Sequence, residues 1–394
     1  MLDYTFTEEQ EQFRKIIRDF AFNELAPKAA YFDKNAEFPY EQLEKMIQLR
    51  KKLGYGKENS LDLISLGIGV EEVGRVDFNC TLLFLYAFGT LRYFFKDASE
   101  EIKQKYPDFF YGGEQVVGLC MTEPKSGGSD IGSLTTTAIP DGDDYIINGA
   151  KTSITNMTAA DMFYVFARTP VKEGLWGITA FIVPAESPGL SMTVYDDLGN
   201  RGNPRGTLTF NNVRVPKDHI IGQLHRGLTS ILSYLNINKA FIGLMSLGAA
   251  QQSLDETIEY VKKREAYNLP IAMFEGVSFP IVEDATFIEA ARLLCYKVLW
   301  LEEKGLRNAR EGAMVKWWVP KLCSDIIWDC IVLHGHIGYS TELPLERRFR
   351  DVLGWQIGDA TPQIQKLIVA REIFGKEFDL TRLTRRIKRE DSKK

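Results

Sequence analysis

The 394-residue chain is 45% hydrophobic and 26% charged, the composition of ordinary globular domains, and about 150 residues per domain makes two or three of them. Its 48 Lys and Arg against 53 Asp and Glu leave a net charge of −5, which excludes binding of nucleic acid through a broad basic face. The charge is uneven. Residues 381–394 hold seven basic and two acidic side chains, so the first 380 residues hold 41 basic against 51 acidic.

The acidic start, MLDYTFTEEQEQ, contrasts with the basic and then apolar pattern of a signal peptide. Thr7 and Gln10 form a capping-box start, and Phe13, Ile16, Ile17 and Phe20 follow at the period of a one-faced helix. Pro27 is placed to end or kink it. Helical stretches at 61–76 and 80–96 come next, with RKKLGYGKENS as a polar loop before them. From about residue 114 the character changes to short β-rich runs, among them EQVVGLCM, DYIING, MFYVFART, ITAFIVPA and GTLTFNNVRVP, separated by turns such as DGDD and ESPG. Strands at this spacing make a barrel or sandwich. Helical patterns return at 229–263, 281–305, 307–333 and 362–377, enough for a four-helix bundle. The most apolar run, 227–254, is interrupted by Ser230, Ser233, Asn236, Asn238 and Lys239, and reads as a bundle helix rather than a membrane span. The expected class is therefore a multidomain α+β protein: an N-terminal helical domain over 1–113, a middle β-barrel over 114–228, a C-terminal helical bundle over 229–380 and a basic, solvated tail over 381–394.

Several chemistries find no support. Cys80, Cys120, Cys295, Cys323 and Cys330 are scattered without a CxxC pair, as reduced thiols of a cytoplasmic protein are. His334 and His336 share a loop, but no Cys or carboxylate stands at ligand spacing beside them, so no metal site is expected. There is no GxSxG elbow and no Walker-A sequence, and Gly67-Ile68-Gly69 lies in a helical pattern with no strand before it. What remains are two loops rich in glycine and hydroxyls, Met121–Asp130 and Asn148–Asn156, and one carboxylate, Asp359. The loops are either wide turns between strands or cradles for a planar ring or a phosphate. Asp359 precedes the apolar-periodic run QIQKLIVAREIFG. It, or Thr361, either caps that helix or, flanked by Gly358 and Ala360, serves as a partly desolvated general base.

The pieces MTEPKSGGSD, YIINGAKTSITN, FNNVRVP, HGHIGYSTELPLERRFRD and IGDATPQIQKLIVARE, in this order and at these separations, resemble the acyl-CoA dehydrogenase family of flavoproteins over about 1–378. The resemblance implies FAD between the barrel and the bundle, and an acyl-CoA substrate. It also implies electron-transferring flavoprotein as the electron acceptor, a homotetramer, and no nucleic acid or membrane span. Leu119, Met121 and Thr122 would meet the pyrimidine side of the flavin, Thr155 its N5 edge, and Ser129 the phosphate and substrate region. Arg264 would reach the pyrophosphate of a neighbouring subunit's FAD with Tyr267 beside it, and Thr361 and Gln363 would lie near the adenosine.

In the resemblance Asp359 takes the place of the catalytic base, where glutamate is usual. It would remove a thioester α-proton while the β-hydrogen leaves as hydride to flavin N5. The sequence departs from the family pattern in ways that bear on substrate and partner. Asp is one methylene shorter than Glu, and Gly358 stands where a bulky aromatic is common; together they imply a bulky or alicyclic acyl group, as in dehydrogenases of cyclohexane-carboxyl thioesters. Ser153 replaces the tryptophan at the flavin edge where the electron acceptor approaches. Asn238 occupies the alternative base position on the first bundle helix, and Lys239 stands where an arginine near the CoA phosphates is common. Two alternative activities share these features: a nitroalkane-oxidase-like flavin oxidase, which also uses Asp, and a dehydrogenase of carrier-protein-bound acyl groups.

Overall fold

A computed structural model describes residues 5–56, 59–89, 91, 95, 97–107, 114–126, 128–172, 175–375 and 377. The basic tail lies outside the described residues.

The N-terminal block is helical: α1 (Glu8–Phe20), α2 (Ala26–Asn35), α3 (Tyr40–Lys52), α4 (Leu63–Gly74), α5 (Cys80–Ala87) and α6 (Glu100–Lys105). The capping box is present, with the Thr7 hydroxyl accepting from the Gln10 N–H at 3.2 Å and the Gln10 side chain from the Thr7 N–H at 3.1 Å. Pro27 does not break the chain here. One π-helical turn (Ala21–Leu25) follows α1, and Pro27 falls in the first turn of α2, where a missing N–H costs no internal hydrogen bond. The polar stretch expected as a loop from Arg50 begins inside α3, whose apolar face (Leu43, Met46, Ile47) is buried although its sequence is dominated by charge. Of the helix expected over 80–96, α5 accounts for 80–87, and several residues beyond it lie outside the described ones.

The middle block is a single eight-stranded sheet: β1 (Val117–Cys120), β2 (Thr137–Asp141), β3 (Asp144–Ile154), β4 (Met162–Lys172), β5 (Leu175–Pro184), β6 (Leu190–Val194), β7 (Gly206–Pro216) and β8 (Ile220–Ile221). The strand order is β6-β7-β3-β2-β4-β5-β8, with β1 parallel to the start of β4. The first six residues of β4, Met162–Ala167, are apolar and buried because both faces of the strand are covered there. Phe163, Val165 and Ala167 join Ile147, Leu208 and Phe210 in one core. Met162, Tyr164 and Phe166 face a second core shared with Ile231 and Tyr234 of the next helix.

The C-terminal block comprises α7 (Gly227–Lys263), a two-residue-strand hairpin β9 (Glu265–Ala266) and β10 (Leu269–Pro270), α8 (Glu275–Glu303), α9 (Ala309–His334), α10 (Leu345–Ile357) and α11 (Pro362–Phe374). Helix α8 starts six residues earlier than the expected 281 and takes in Pro280 in its second turn, where the missing N–H removes one internal hydrogen bond. Helix α10 adds a fifth helix to the expected four. The two helical blocks share one core: Ile17, Leu66 and Phe84 pack in the same cluster as Phe241, Leu244, Val298 and Val315. Helices α4 and α7 cross so closely that a Cβ on Gly74 would lie 2.6 Å from the Met245 carbonyl, and one on Gly248 2.2 Å from that of Glu71. Helix packing, not a nucleotide, thus accounts for glycine in this helix. All five cysteines are buried and free. No described helix is long and apolar enough to cross a membrane.

Candidate active site

Two irregular segments, one from the sheet and one from the bundle, meet at the start of α7. On the sheet side, the loop after β1 is held from behind by a fully buried ion pair. Lys151 on β3 donates to Glu123 Oε1 at 2.9 Å and to the Met121 carbonyl at 3.2 Å. Glu123 also accepts from the Thr135 N–H (2.6 Å), the Thr135 hydroxyl (2.6 Å) and the Thr136 N–H (2.9 Å). Burial opposes its charge, but these donors and the ammonium hold its carboxyl well below the usual range. The Thr152 N–H donates to the Thr122 carbonyl at 2.8 Å, clasping the loop to β3. At the end of β3 the backbone turns sharply, with φ 61° at Ser153 and 59° at Asn156. The Ser153 hydroxyl accepts from Arg205 at 2.7 Å. Asn156 is fully buried; its amide donates to the Tyr86 hydroxyl at 3.3 Å, while its carbonyl oxygen finds no donor among the described residues.

On the bundle side, Asp359 and Ala360 link α10 to α11 with φ 53° and 76°, two successive left-handed residues that carry side chains. Such a pair costs about 1 kcal/mol or more per residue, so its surroundings must hold it. Three side chains do. The fully buried Lys316 of α9 donates to the carbonyls of Trp355 (2.7 Å), Gln356 (3.4 Å) and Ala360 (3.2 Å). Gln365 donates to the Asp359 carbonyl at 3.2 Å. Asn238 of α7 donates to the Asp359 carboxylate. Thr361 is the N-cap residue of α11, but its hydroxyl makes no cap bond. The carboxylate is therefore turned into the site rather than spent on capping. Among the described residues no cation lies within 4.0 Å of it.

Two phenols lie within reach of the Asp359 charge, the half-buried Tyr86 and the buried Tyr234. Tyr86 of α5 donates to the Val117 carbonyl at 3.1 Å, and Tyr234 of α7 to Asn238 at 3.4 Å. Burial, with the Asp359 charge adding to it, pushes the Tyr86 hydroxyl up to about 12 and raises that of Tyr234 likewise. Lys239 is buried beside them, its ammonium on Asn236 at 2.9 Å. Burial draws both Lys239 and Lys316 down to about 8, against the pull of Asp359. A half-buried carboxylate held by a neutral amide, with no described cation paired to it, suits removal of a weakly acidic proton.

Comparison with known proteins accounts for this arrangement. The descriptions "Acyl-CoA dehydrogenase, N-terminal domain", "middle domain" and "C-terminal domain" match residues 7–114, 118–213 and 225–374. The chain belongs to the acyl-CoA dehydrogenase family. It is 34% identical over 379 residues to an acyl-CoA dehydrogenase of Bacillus subtilis, covering 94% of this chain and 99% of that protein. It is 32% identical over 382 residues to the caffeyl-CoA reductase-Etf complex subunit CarC of Acetobacterium woodii, covering 94% of this chain and all of that one. The solved butyryl-CoA dehydrogenase of Megasphaera elsdenii superposes with a TM-score of 0.88 at 27% identity, over 95% of this chain and 100% of that one. An acyl-CoA dehydrogenase is a flavoprotein oxidoreductase acting on a CH–CH bond, and that is the activity of this chain.

Of the residues the sequence singles out, the acyl-CoA dehydrogenase fold brings Asp359 to Asn238 and within reach of the Lys239 charge, and the Tyr86 hydroxyl that accepts from Asn156 after β3 also feels the Asp359 charge. Leu119, Thr122 and Thr155 are half-buried, Met121 is buried and Ser129 is exposed. Gly358 lies against Trp355. Arg264 and Tyr267 are not brought to this site. They stand exposed at the far end of α7, 26 residues past Asn238, or about 39 Å at 1.5 Å per residue. Thr361 and Gln363 flank the first turn of α11. Sequence reasoning assigns no role to Glu123, Lys151, Lys316, Tyr86, Tyr234, Asn156 or Gln365. A lone lysine in an apolar run, as in GAMVKWWVP, is the signal that marks Lys316.

Proposed function

We propose that Asp359 is the base that removes the α-proton of an acyl-CoA while the β-hydrogen leaves as hydride to FAD. The observation that carries this reading is the Asp359 carboxylate itself, held in a left-handed turn by Asn238 and Gln365 with no described cation paired to it. The Asp359 N–H would donate to the thioester carbonyl and so acidify the α-C–H, an effect that a water-poor site strengthens. Lys239 and Gly358 would border the acyl thioester, the Gly358 surface leaving room for a bulky or alicyclic group.

The sheet-side residues fit a flavin. Thr122 and Thr155 supply hydroxyls, the Met121 loop supplies backbone groups, and the unpaired Asn156 carbonyl oxygen is a buried acceptor beside Thr155. Leu119 and Ser129 border the same loop, and Ser153 marks its edge. Bound FAD would supply the hydride acceptor and a ribityl hydroxyl for the thioester carbonyl. Arg264 and Tyr267, too distant to serve their own chain's site, would contact the FAD of a neighbouring subunit, while Thr361 and Gln363 would lie near the adenosine. A homotetramer would also cover Phe279, Val282, Phe287 and Trp300, large apolar side chains exposed along α8. Electron-transferring flavoprotein is the proposed acceptor, approaching where Ser153 and Arg205 lie; the relationship to an Etf-complex subunit supports this. Five free buried thiols accord with a cytoplasmic protein.

The test is anaerobic titration of the yellow protein with straight, branched and cyclic acyl-CoAs, following flavin absorbance. Bleaching by an acyl-CoA is expected; bleaching by a nitroalkane alone, or by carrier-protein thioesters alone, overturns the substrate assignment. In Asp359→Asn the flavin should be retained and reduced about 10²–10⁴-fold more slowly. Reduction at near-wild-type rate would remove Asp359 from the base position.

A further inference from the structure

We infer that Lys316 is a positioning residue that places the Asp359 carboxylate through the backbone on either side of it. The inference rests on the reading of Asp359 as the base, but the geometry stands independently of it. Lys316 is fully buried in the first third of α9, 43 residues before Asp359. An ammonium has three donors, and here each has a carbonyl: Trp355 and Gln356 in the last turn of α10, and Ala360 just past the base.

The last carbonyls of a helix lack partners within it, and the helix dipole makes that end attractive to a cation. Trp355 and Gln356 supply two such carbonyls. The third bond, to Ala360, crosses the left-handed pair and ties its far side to the helix end. Asp359 is thus suspended between two points fixed by one atom. The ammonium is not within ion-pair distance of the carboxylate, so it fixes the base without consuming it. The groups whose charge reaches Lys316 are Asp359 from the turn and Lys239 from α7. An apolar side chain of similar length would leave three half-buried carbonyls without this donor, and the turn would lose the bonds that hold its strained conformation.

The experiment uses the FAD-loaded protein and the variants Lys316→Met and Lys316→Gln. Three properties are read: bound flavin, the rapid-reaction rate and substrate affinity of flavin reduction, and amide hydrogen exchange by mass spectrometry. In Lys316→Met, reduction should slow about 100-fold, as for a displacement of about 1 Å, with substrate affinity within about threefold of wild type. Exchange should quicken at least about tenfold in residues 355–361 and stay unchanged in the rest of α9. Lys316→Gln keeps two of the three donors and should fall between the two; it carries the test alone if the methionine variant does not fold. Reduction within about threefold of wild type overturns the inference. So does faster exchange spread evenly over the bundle, the mark of a merely structural lysine. Failure of the base reading shows separately, as full activity in Asp359→Asn with local exchange still quickened by Lys316→Met.

Discussion

The loop after β1 and the turn after α10 are both fixed by a buried lysine, yet by opposite means. Lys151 is neutralised by a carboxylate that is itself filled with donors, so the loop it supports is electrostatically closed. Lys316 meets only carbonyl oxygens, and the carboxylate in its turn is held by a neutral amide. The difference follows from what each segment does. A scaffold can commit its carboxylate to a lysine. A base paired directly with an ammonium would lose the basicity it needs, so the turn is anchored through its backbone instead.

The largest expected effect that tests this contrast is on the sheet side. Glu123→Gln leaves the Lys151 charge buried without its counter-ion, which costs about 3–5 kcal/mol. Chemical denaturation should show that loss, with weaker flavin retention, and Lys151→Met in the same chain should restore part of it. An unchanged midpoint for Glu123→Gln would erase the distinction between the two lysines, since Lys316→Met is expected to act on rate more than on stability.

A smaller effect tests the contact between the two sides. Asp351 of α10 is fully buried and accepts from the Asn200 N–H, in the loop between β6 and β7, at 2.6 Å. Burial raises its carboxyl to about 7 against the Asn200 N–H that favours the charge; Asp33 and Asp77 push it further up, and Arg347 opposes them. The folded chain therefore holds a proton that the unfolded chain releases near its ordinary value. Stability from this group is present at low pH and is lost as pH rises from about 4 to about 7. Asp351→Asn keeps an acceptor for Asn200 and removes the titration. Its stability relative to wild type should climb by up to about 4 kcal/mol across that window and then level off, as denaturation at several pH values would show. A flat difference would mean that the carboxylate stays charged at the junction.

Much of this was legible in the sequence, and the remainder failed for identifiable reasons. The Thr7 capping box and the 13/17 apolar spacing are local, so they could be read directly. Strand β4 could be recognised from MFYVFART because burial of both faces leaves an unbroken apolar run. Helix α3 could not, since only three of its five buried residues are apolar, in a segment dominated by charge. The shared core of the two helical blocks gathers residues far apart in the chain, such as Leu66 and Leu244, to which no local pattern points. Asp359 stood out by motif, but cap and base look alike until the carboxylate direction is known. Lys316 was visible as an isolated charge in an apolar run, whereas Lys151 stood in a stretch of glycine and hydroxyls. Their opposite partners, backbone carbonyls for one and Glu123 for the other, exist only in the fold.

The smallest expected effect concerns the edge of the bundle-side turn. Gly358 has φ −54° and ψ 148°, a conformation open to any residue. A Cβ there would lie 3.4 Å from Trp355 Cε3 and 3.6 Å from the Gly354 carbonyl, which is ordinary contact. Gly358→Ala should therefore leave stability within about 0.5 kcal/mol of wild type. If Gly358 borders the acyl group, the added methyl takes space from a ring and none from a short straight chain. One methyl's worth of pocket corresponds to about 1–3 kcal/mol of discrimination, so kcat/KM for a cyclic acyl-CoA should fall about tenfold relative to that for a short straight one. An equal change for both would mean that the methyl acts through Asp359, next in the chain, and that the width of the acyl site is set elsewhere. The two sides would then differ only in how their lysines are paired, not in which of them reads the substrate.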